Sequence, residues 1–424
     1  MKKFKIVFIV CFCFGKAFSQ NTSSPYSIIG LGDIERSSFD RTSGLGHAGV
    51  ALYGDKNMFV GNPASFSFLE TRPFQNPFYL DLTIRYKNIN YSGNAITSTT
   101  DNQSNDLQFK RLSFAIKPSP KWGLSFGLLP FSTANYSFVG VKGIQGGDVS
   151  FNANYDGSGS SNLLYLSNSY LITKNLSLGI QSSILFGQFS DKETILTDSI
   201  LTTERNIFLV KPHFKGGLIY KGNINKNWAA SIGATGSLKT SLNAQYQLTV
   251  KDGTTTLKSI DERRSNYTAL PLMGTIGFAA TYKSKYTFVL DYSGQNWSSL
   301  NYKGTNYALV NSDRISAGFQ LTNYDTIRDK NVSISYEKNF LQAGFFYSNS
   351  YLNIYGQQIK EWGVTLGAGT QLKRSGLGLH ATLEIGSRGT TNNGLIKESI
   401  TQFGLSISYR DFWSTKKLNR RRYN

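Results

Sequence analysis

The chain has 424 residues, with 45 lysines and arginines against 26 acidic residues, and a formal net charge of +19. Only 17% of the residues are charged, against about a quarter in ordinary soluble proteins, while 14% are aromatic and 41 are glycine. After residue 19, no stretch of 18 residues is uniformly apolar. A membrane-spanning helix is therefore excluded, and an outer-membrane β-barrel is favoured.

Residues 1–19 predict an export signal. A basic start precedes a short apolar run and a small-residue cleavage site at Ala17-Phe18-Ser19. The apolar run is too short to anchor the chain in a bilayer. Both cysteines, Cys11 and Cys13, lie in this run beside bulky phenylalanines, a context that disfavours lipid attachment. We therefore expect no disulfide and no thiolate metal site in the exported chain.

The charge of the exported chain is +15, because the signal holds four lysines and no acidic residue. A basic chain often binds nucleic acid, but export argues against nucleic acid as a partner. Basic loops beside the phosphates of the lipid bilayer and of lipopolysaccharide explain the charge better.

Residues 20–75, which we call the hatch, predict a compact and turn-rich segment rather than strands or a long helix. Glycine and proline recur in Gly30-Leu31-Gly32, Gly44-Leu45-Gly46 and Gly61-Asn62-Pro63. The first of these lacks the preceding strand and following helix of a dinucleotide site. A segment of this kind before the first strand can fold back into a barrel lumen and plug it.

Residues 76–413 predict an all-β fold, a transmembrane antiparallel β-barrel of about 14 strands. Large apolar residues alternate with small or polar ones, as in Leu377 to Ile385 and in Phe403 to Tyr409, and this period of two is typical of strands. The strands are predicted at 78–91, 107–117, 122–133, 163–172, 176–188, 206–221, 228–249, 267–283, 286–294, 313–322, 340–350, 361–371, 376–387 and 399–411.

The connections between these strands alternate in length, as they do in outer-membrane barrels with short periplasmic turns and long external loops. The connection at 323–339 is the exception, because it falls on the short side and is long. Within one long connection, Gly157 to Ser161 predict a flexible loop. The long connections are predicted at 92–106, 134–162, 189–205, 250–266 and 295–312.

The five tryptophans all lie at the ends of predicted strands. Indole rings favour the membrane–water interface, so we expect these residues to form aromatic girdles rather than to lie in buried cores. They are Trp122, Trp228, Trp297, Trp362 and Trp413.

Residues 414–424 form a basic tail, which the order of the strands places in the periplasm. Contact with lipid headgroups and docking to an acidic partner both fit this charge. The basic residues are Lys416, Lys417, Arg420, Arg421 and Arg422.

No pattern in the sequence predicts catalysis, a metal site or a cofactor. His380 shares a strand face with Glu384, but four residues of strand separate them too far for a tight hydrogen bond, and we expect that face to line the lumen. His47 is expected to be a structural hydrogen-bond donor in the hatch. Asp148 and Asp156 fit ordinary turn chemistry better than a weak calcium site.

The run from Thr42 to Ala51, followed by Asn62-Pro63-Ala64-Ser65, resembles the N-terminal hatch of the FadL-type outer-membrane transport protein family. Asn62, Pro63 and Ala64 match the hatch motif of that family. The resemblance implies a fourteen-stranded barrel with an N-terminal plug, the strand number that the periodicity also predicts.

The same resemblance implies a function without catalysis. Most members of the family move small hydrophobic molecules, such as long-chain fatty acids or aromatic hydrocarbons, inward by diffusion past a hatch that shifts. Passive uptake of an apolar ligand is therefore the first functional hypothesis. The alternative is a barrel that does not transport, and that serves as a scaffold subunit of a larger outer-membrane secretion or protein-assembly complex.

Overall fold

The computed structural model describes residues 24–54, 56–71, 75–93, 102–143, 150–196, 199–304, 306–329, 332–372 and 376–414. Only the backbone is described at 327–329, 332–335 and 414. The expected export signal at 1–19 and the basic residues of the expected tail lie outside these ranges, and so does Asp148.

The described residues form nineteen strands in one antiparallel sheet. They are β1 (Asp33–Ile34), β2 (Gln75–Ser92), β3 (Gln103–Ser119), β4 (Trp122–Thr133), β5 (Tyr136–Gly143), β6 (Ser150–Leu171), β7 (Leu176–Leu196), β8 (Ile200–Asn223), β9 (Trp228–Ser237), β10 (Thr240–Asp252), β11 (Thr255–Leu270), β12 (Met273–Tyr282), β13 (Tyr286–Gln295), β14 (Tyr307–Leu309), β15 (Ser312–Asp329), β16 (Val332–Ile354), β17 (Gln357–Gln371), β18 (Leu377–Arg388) and β19 (Lys397–Ser414).

Fourteen of these strands form the wall of a closed barrel. They are β2, β3, β4, β6, β7, β8, β9, β12, β13, β15, β16, β17, β18 and β19, and β19 pairs with β2 from Ser414↔Gln75 to Lys397↔Ser92 to close the ring. The predicted strand number and fold are confirmed. Pairing of β19 with β2 removes the edges that the first and last wall strands would otherwise expose to lipid.

The two faces of the wall differ as the alternation predicts. On β7, Leu178, Ile180 and Ile184 point outward and are exposed, whereas Ser177 and Gln181 point inward and are buried. The apolar face therefore contacts lipid, and the small polar face contacts the interior.

Several predicted connections are strands in the structure. Segments 189–205 and 250–266 belong to long hairpins, and Gly157 to Ser161 lie within β6 instead of forming a loop. The predicted strands 228–249 and 267–283 each combine a wall strand with one strand of the β10–β11 hairpin. The second of these breaks at Pro271, which has no N–H to donate to a ladder.

The helices of the described residues are short 3₁₀ helices. Three lie in the hatch, at Pro25–Ile28, Arg41–Leu45 and Pro63–Phe68, and two in connections, at Trp297–Leu300 and Asn392–Gly394. None of the helices in the part of the chain that the structure describes has the length and apolar character needed to cross a membrane.

Candidate functional site: the hatch and the barrel wall

The described part of the hatch, residues 24–71, lies inside the barrel and confirms the predicted plug. Its backbone runs against the small-residue face of the wall, and Leu45, Ala48, Ala51, Ala64 and Phe66 are fully buried there. The lumen is therefore filled by the protein's own chain.

Asn62, Pro63 and Ala64 bind two parts of the hatch to each other and to the wall. The Asn62 side-chain oxygen accepts from the Ala64 N–H at 3.0 Å and caps the 3₁₀ helix that Pro63 begins. The Asn62 amide donates to the carbonyls of Val50 at 2.7 Å and Leu218 at 3.1 Å. This geometry gives the motif a structural role at the centre of the plug.

The wall approaches the hatch so closely that side chains are excluded at several positions. A Cβ on Gly179 would overlap the backbone of Pro63 and Ala64, and a Cβ on Gly217 would overlap Asn62 and Pro63. Gly123, Gly233, Gly318 and Gly344 meet other parts of the hatch backbone in the same way. The alternation thus serves two functions. Its large apolar residues face outward, and its small residues leave room for the hatch backbone.

Asp291 holds a second point of the hatch. Its Oδ2 accepts from the backbone N–H groups of Gly49 at 2.7 Å and Val50 at 2.9 Å. Two successive N–H groups directed at one carboxylate form an anion-binding nest. Sequence reasoning missed Asp291, although a single acidic residue at an inward position of an otherwise apolar strand was a usable signal.

Ion pairs join the hatch to strands around the barrel. Arg41 of the hatch pairs with Glu337 at 2.7 Å, and both side chains are buried. His47 Nε2 lies 2.7 Å from Glu384 Oε2, which agrees with the structural role expected for His47. The other pairs between hatch and wall are Glu35 with Lys110 and Arg85, Asp40 with Arg111, Asp33 with Arg388, and Glu70 with Arg410.

Glu35 shows how strongly these pairs act. Burial alone would raise the pKa of its carboxyl group, but Lys110 and Arg85 beside it lower that pKa to about 2. The carboxylate is therefore ionised throughout the neutral range, and the hatch stays paired with β2 and β3.

The barrel wall has an incomplete seam between β3 and β4, and the short hatch strand β1 pairs with β4 at this seam. These two strands pair from Leu112↔Leu128 to Ser119↔Trp122. The preceding part of β3, residues 103–111, pairs with β2 alone among the described residues. Above that point, Asp33 and Ile34 of β1 pair with Thr133 and Ser132 of β4. Pairing of the wall is therefore interrupted here, and two hatch residues occupy the edge of β4 that β3 leaves open.

The cavities that remain between hatch and wall have linings that mix charged and apolar residues. One of about 330 Å³ is lined by Arg41, Asp81, Arg111 and His380, and another of about 90 Å³ lies among charged residues of hatch and wall. Pockets for small ligands are mostly apolar and have about 300–1,000 Å³. A third cavity, of about 260 Å³ between hatch and wall, is lined by apolar residues such as Phe131 together with the charged Lys215.

The tryptophans divide into two groups. Trp122, Trp362 and Trp413 are exposed on the outer face near strand ends, and Trp228 is half-buried against Tyr282, 4.9 Å between ring centroids. Their role at the membrane interface stays a prediction. Trp297 is only 3% exposed and stacks on Tyr351 under the long loops. The prediction that its ring faces the membrane interface is therefore wrong.

The structure places the described polar residues that were considered for catalysis or metal binding in ordinary structural contacts. His380 lines the lumen, as expected, and lies 5.3 Å from Phe340 between ring centroids. Asp156 accepts from Ser137 Oγ at 2.7 Å, between β6 and β5. Among the described residues, the structure brings together no group of three His, Cys, Asp or Glu that could hold a metal ion.

Comparisons with known proteins agree with this architecture. The family model described as BamG matches residues 1–424. A comparison with curated proteins finds no match.

Solved structures share the fold at low sequence identity. A FadL homologue from Pseudomonas aeruginosa has a TM-score of 0.59 at 13% identity, covering 89% of this chain and 99% of that one. The P. putida toluene transporter TodX has a TM-score of 0.57 at 15% identity, covering 88% and 98%. The Ralstonia pickettii toluene transporter TbuX has a TM-score of 0.50 at 13% identity, covering 87% and 97%.

Proposed function

The chain belongs to the BamG family over its whole length, and from this premise we propose that it is a closed outer-membrane barrel that acts as a scaffold subunit of a larger outer-membrane assembly. In this proposal the chain is exported by a cleaved signal at 1–19 and is integral to the outer membrane. The observation that carries the proposal is the hatch itself, which occupies the lumen and is joined to the wall by buried ion pairs.

The hairpin of β15 and β16 supplies a docking surface for such an assembly. β13 pairs with β15 only as far as Leu321, and β17 pairs with β16 only from Asn339. Beyond these residues β15 and β16 continue as a two-stranded ribbon of six further pairs, from Tyr324↔Glu337 to Asp329↔Val332. At about 3.3 Å per residue the ribbon extends about 20 Å beyond the wall. An isolated two-stranded ribbon is only marginally stable in water, which favours a partner.

Purification from native membranes in mild detergent tests the scaffold role. We expect the tagged protein to retain other outer-membrane proteins in stoichiometric amounts. We expect a variant with Asp325–Tyr336 replaced by an Asn-Gly turn to lose them, because the ribbon is gone while the wall pairs remain. Retention of heat-modifiable migration on gels will confirm that the variant barrel is folded.

A matched control shortens a hairpin at the opposite end of the barrel, with Leu248–Ile260 of β10 and β11 replaced by Asn-Gly. This control should keep the co-purifying proteins. A solitary wild-type barrel carrying an apolar ligand would contradict the scaffold proposal.

Passive uptake of small hydrophobic molecules is the second candidate. The fold shared with the FadL homologue and TodX supports it, as does the seam between β3 and β4, where a shift of β1 would open a sideways path to the membrane. In this case Asn62→Ala combined with Pro63→Ala should impair uptake of a labelled long-chain fatty acid or toluene without unfolding the barrel. Unchanged uptake by the folded double variant would exclude a transport role for the hatch.

A further inference from the structure

The short-turn end of the barrel carries a rim of exposed lysines, which we call the lysine rim. It consists of Lys121, Lys174, Lys226, Lys283 and Lys285, in the four consecutive turns β3–β4, β6–β7, β8–β9 and β12–β13. The residues that connect the strands in these turns include no aspartate or glutamate. The rim therefore presents five positive charges along eight adjacent wall strands.

The opposite end of the barrel has no comparable bias. The long hairpins there carry both signs of charge, since Lys192 lies between Asp191 and Glu193 and Lys251 precedes Asp252. Lys110, Lys142 and Lys338, which form salt bridges, all lie outside the rim. The charge of the rim is thus specific to one end and free to act on an external anion.

Aromatic side chains fix the depth of the rim relative to the membrane. Trp122 follows Lys121 directly, and Trp228 lies two residues after Lys226. Across adjacent strands, the Trp228, Tyr282, Tyr286 and Phe319 rings form a row, with centroids 4.9, 6.4 and 6.2 Å apart. Tryptophan and tyrosine rings prefer the headgroup level, so the lysines lie beside lipid phosphates.

The β12–β13 turn gives the most specific geometry. Lys283 Nζ lies 5.2 Å from the Tyr282 ring centroid, and Lys285 Nζ lies 5.4 Å from the Tyr286 ring centroid. Lys283 and Ser284 both have left-handed backbone conformations, with φ of 49° and 55°. Glycine or asparagine is usual in such a turn, so a lysine at this position indicates a use for its side chain.

We propose that the lysine rim is a binding surface for anionic phospholipids of the periplasmic leaflet. Each ammonium group contacts a lipid phosphate, while the neighbouring aromatic ring packs on the upper acyl chain. The juxtaposition of lysines with interfacial rings favours lipid over an acidic periplasmic protein, because it places the charges at the depth of the headgroups.

Lipid selectivity of the full-length protein tests the proposal. The protein is reconstituted in phosphatidylethanolamine bilayers, and electron spin resonance compares the motionally restricted fractions of spin-labelled phosphatidylglycerol and spin-labelled phosphatidylethanolamine. We expect the wild type to prefer phosphatidylglycerol by roughly fivefold at low salt, and the preference to fall as salt is raised.

The test variant changes all five rim lysines to glutamine, and its preference should fall to nearly one. The control variant changes five exposed lysines of the opposite end, Lys192, Lys239, Lys251, Lys258 and Lys303, to glutamine, and should keep the preference. Absence of selectivity in the wild type, retention of it in the rim variant, or equal loss in the control would overturn the proposal. A rim variant that kept its lipid preference but lost a protein partner in native membranes would assign the surface to an acidic protein instead.

Discussion

Single side chains decide how the hatch fits the wall. Gly216 and Gly217 are neighbours on β8 but point in opposite directions. A Cβ on Gly217 would overlap Asn62 and Pro63, whereas a Cβ on Gly216 would have only the Gly236 carbonyl oxygen nearby, at 3.9 Å. The two positions therefore separate hatch packing from the general tolerance of the strand.

We expect Gly217→Ala to displace the Asn62 motif at a cost of about 1–3 kcal/mol, because the added methyl group has no free volume. In planar bilayers this variant should show ion conductance that the wild type lacks. Gly216→Ala should behave as the wild type. Equal conductance of the two variants would show that the hatch does not seal the lumen at this point.

The Glu35 carboxyl group makes the stability of the folded protein depend on pH. Its pKa is about 2 in the folded protein, against 4.5 for an unperturbed glutamate side chain, so its pairing stabilises the protein fully above about pH 4.5 and is lost as the pH falls through about 2. This lowering of the Glu35 pKa corresponds to roughly 3 kcal/mol of folding free energy at neutral pH. Wild type should melt at higher temperature than Glu35→Gln at pH 6, and this difference should vanish near pH 2. A difference that does not change with pH would contradict the assignment.

At this scale the sequence predicts local bonds better than distant ones. The Asn62-Pro63 dipeptide is a local signal for the cap seen in the structure, although only a turn-rich segment was predicted there. The partners Glu337 and Glu384 could not be predicted, because they reach the hatch through strand register over hundreds of residues. Register depends on every hairpin in between.

The strands are the next scale, and here periodicity predicts identity well and ends poorly. Wall strands such as β7 and β8 are longer than a membrane crossing requires. The prediction ended each strand at membrane-spanning length and therefore assigned 189–205 to a loop. The lengths in the structure follow from pairing between the external hairpins. Apolar residues at the base of those hairpins form a core with Leu31 of the hatch, and this core includes Leu185, Leu209, Leu242 and Leu270.

The β10–β11 hairpin offers a test of that core. Leu242→Ala should destabilise the hairpin by about 2–5 kcal/mol, because it removes a fully buried side chain. Leu257→Ala, at an exposed position of the same hairpin, should have little effect. Protease sensitivity of residues 240–270 measures both, and equal sensitivity of the two variants would show that the base of the hairpin is not a packed core.

For the whole molecule, the barrel and the hatch depend on each other. Deletion of residues 24–71, with the export segment retained, would leave buried wall charges such as Asp291, Glu337 and Arg111 without their hatch partners. We expect the barrel to form with a lower melting temperature and to conduct ions. Circular dichroism would verify the strands, and an unchanged melting temperature would contradict the dependence.

The long separation along the chain between hatch contacts has a consequence for biogenesis. Ser24 donates to Glu398, 374 residues later, at 2.7 Å, and Arg388 binds Asp33 and Glu398 together. These contacts of Ser24 and Asp33 therefore form only when β18 and β19 are in place, although β1 also pairs with the early strand β4. Plugging can thus begin on the first wall strands, but its last contacts coincide with closure of the ring, and contacts of such high sequence separation form slowly.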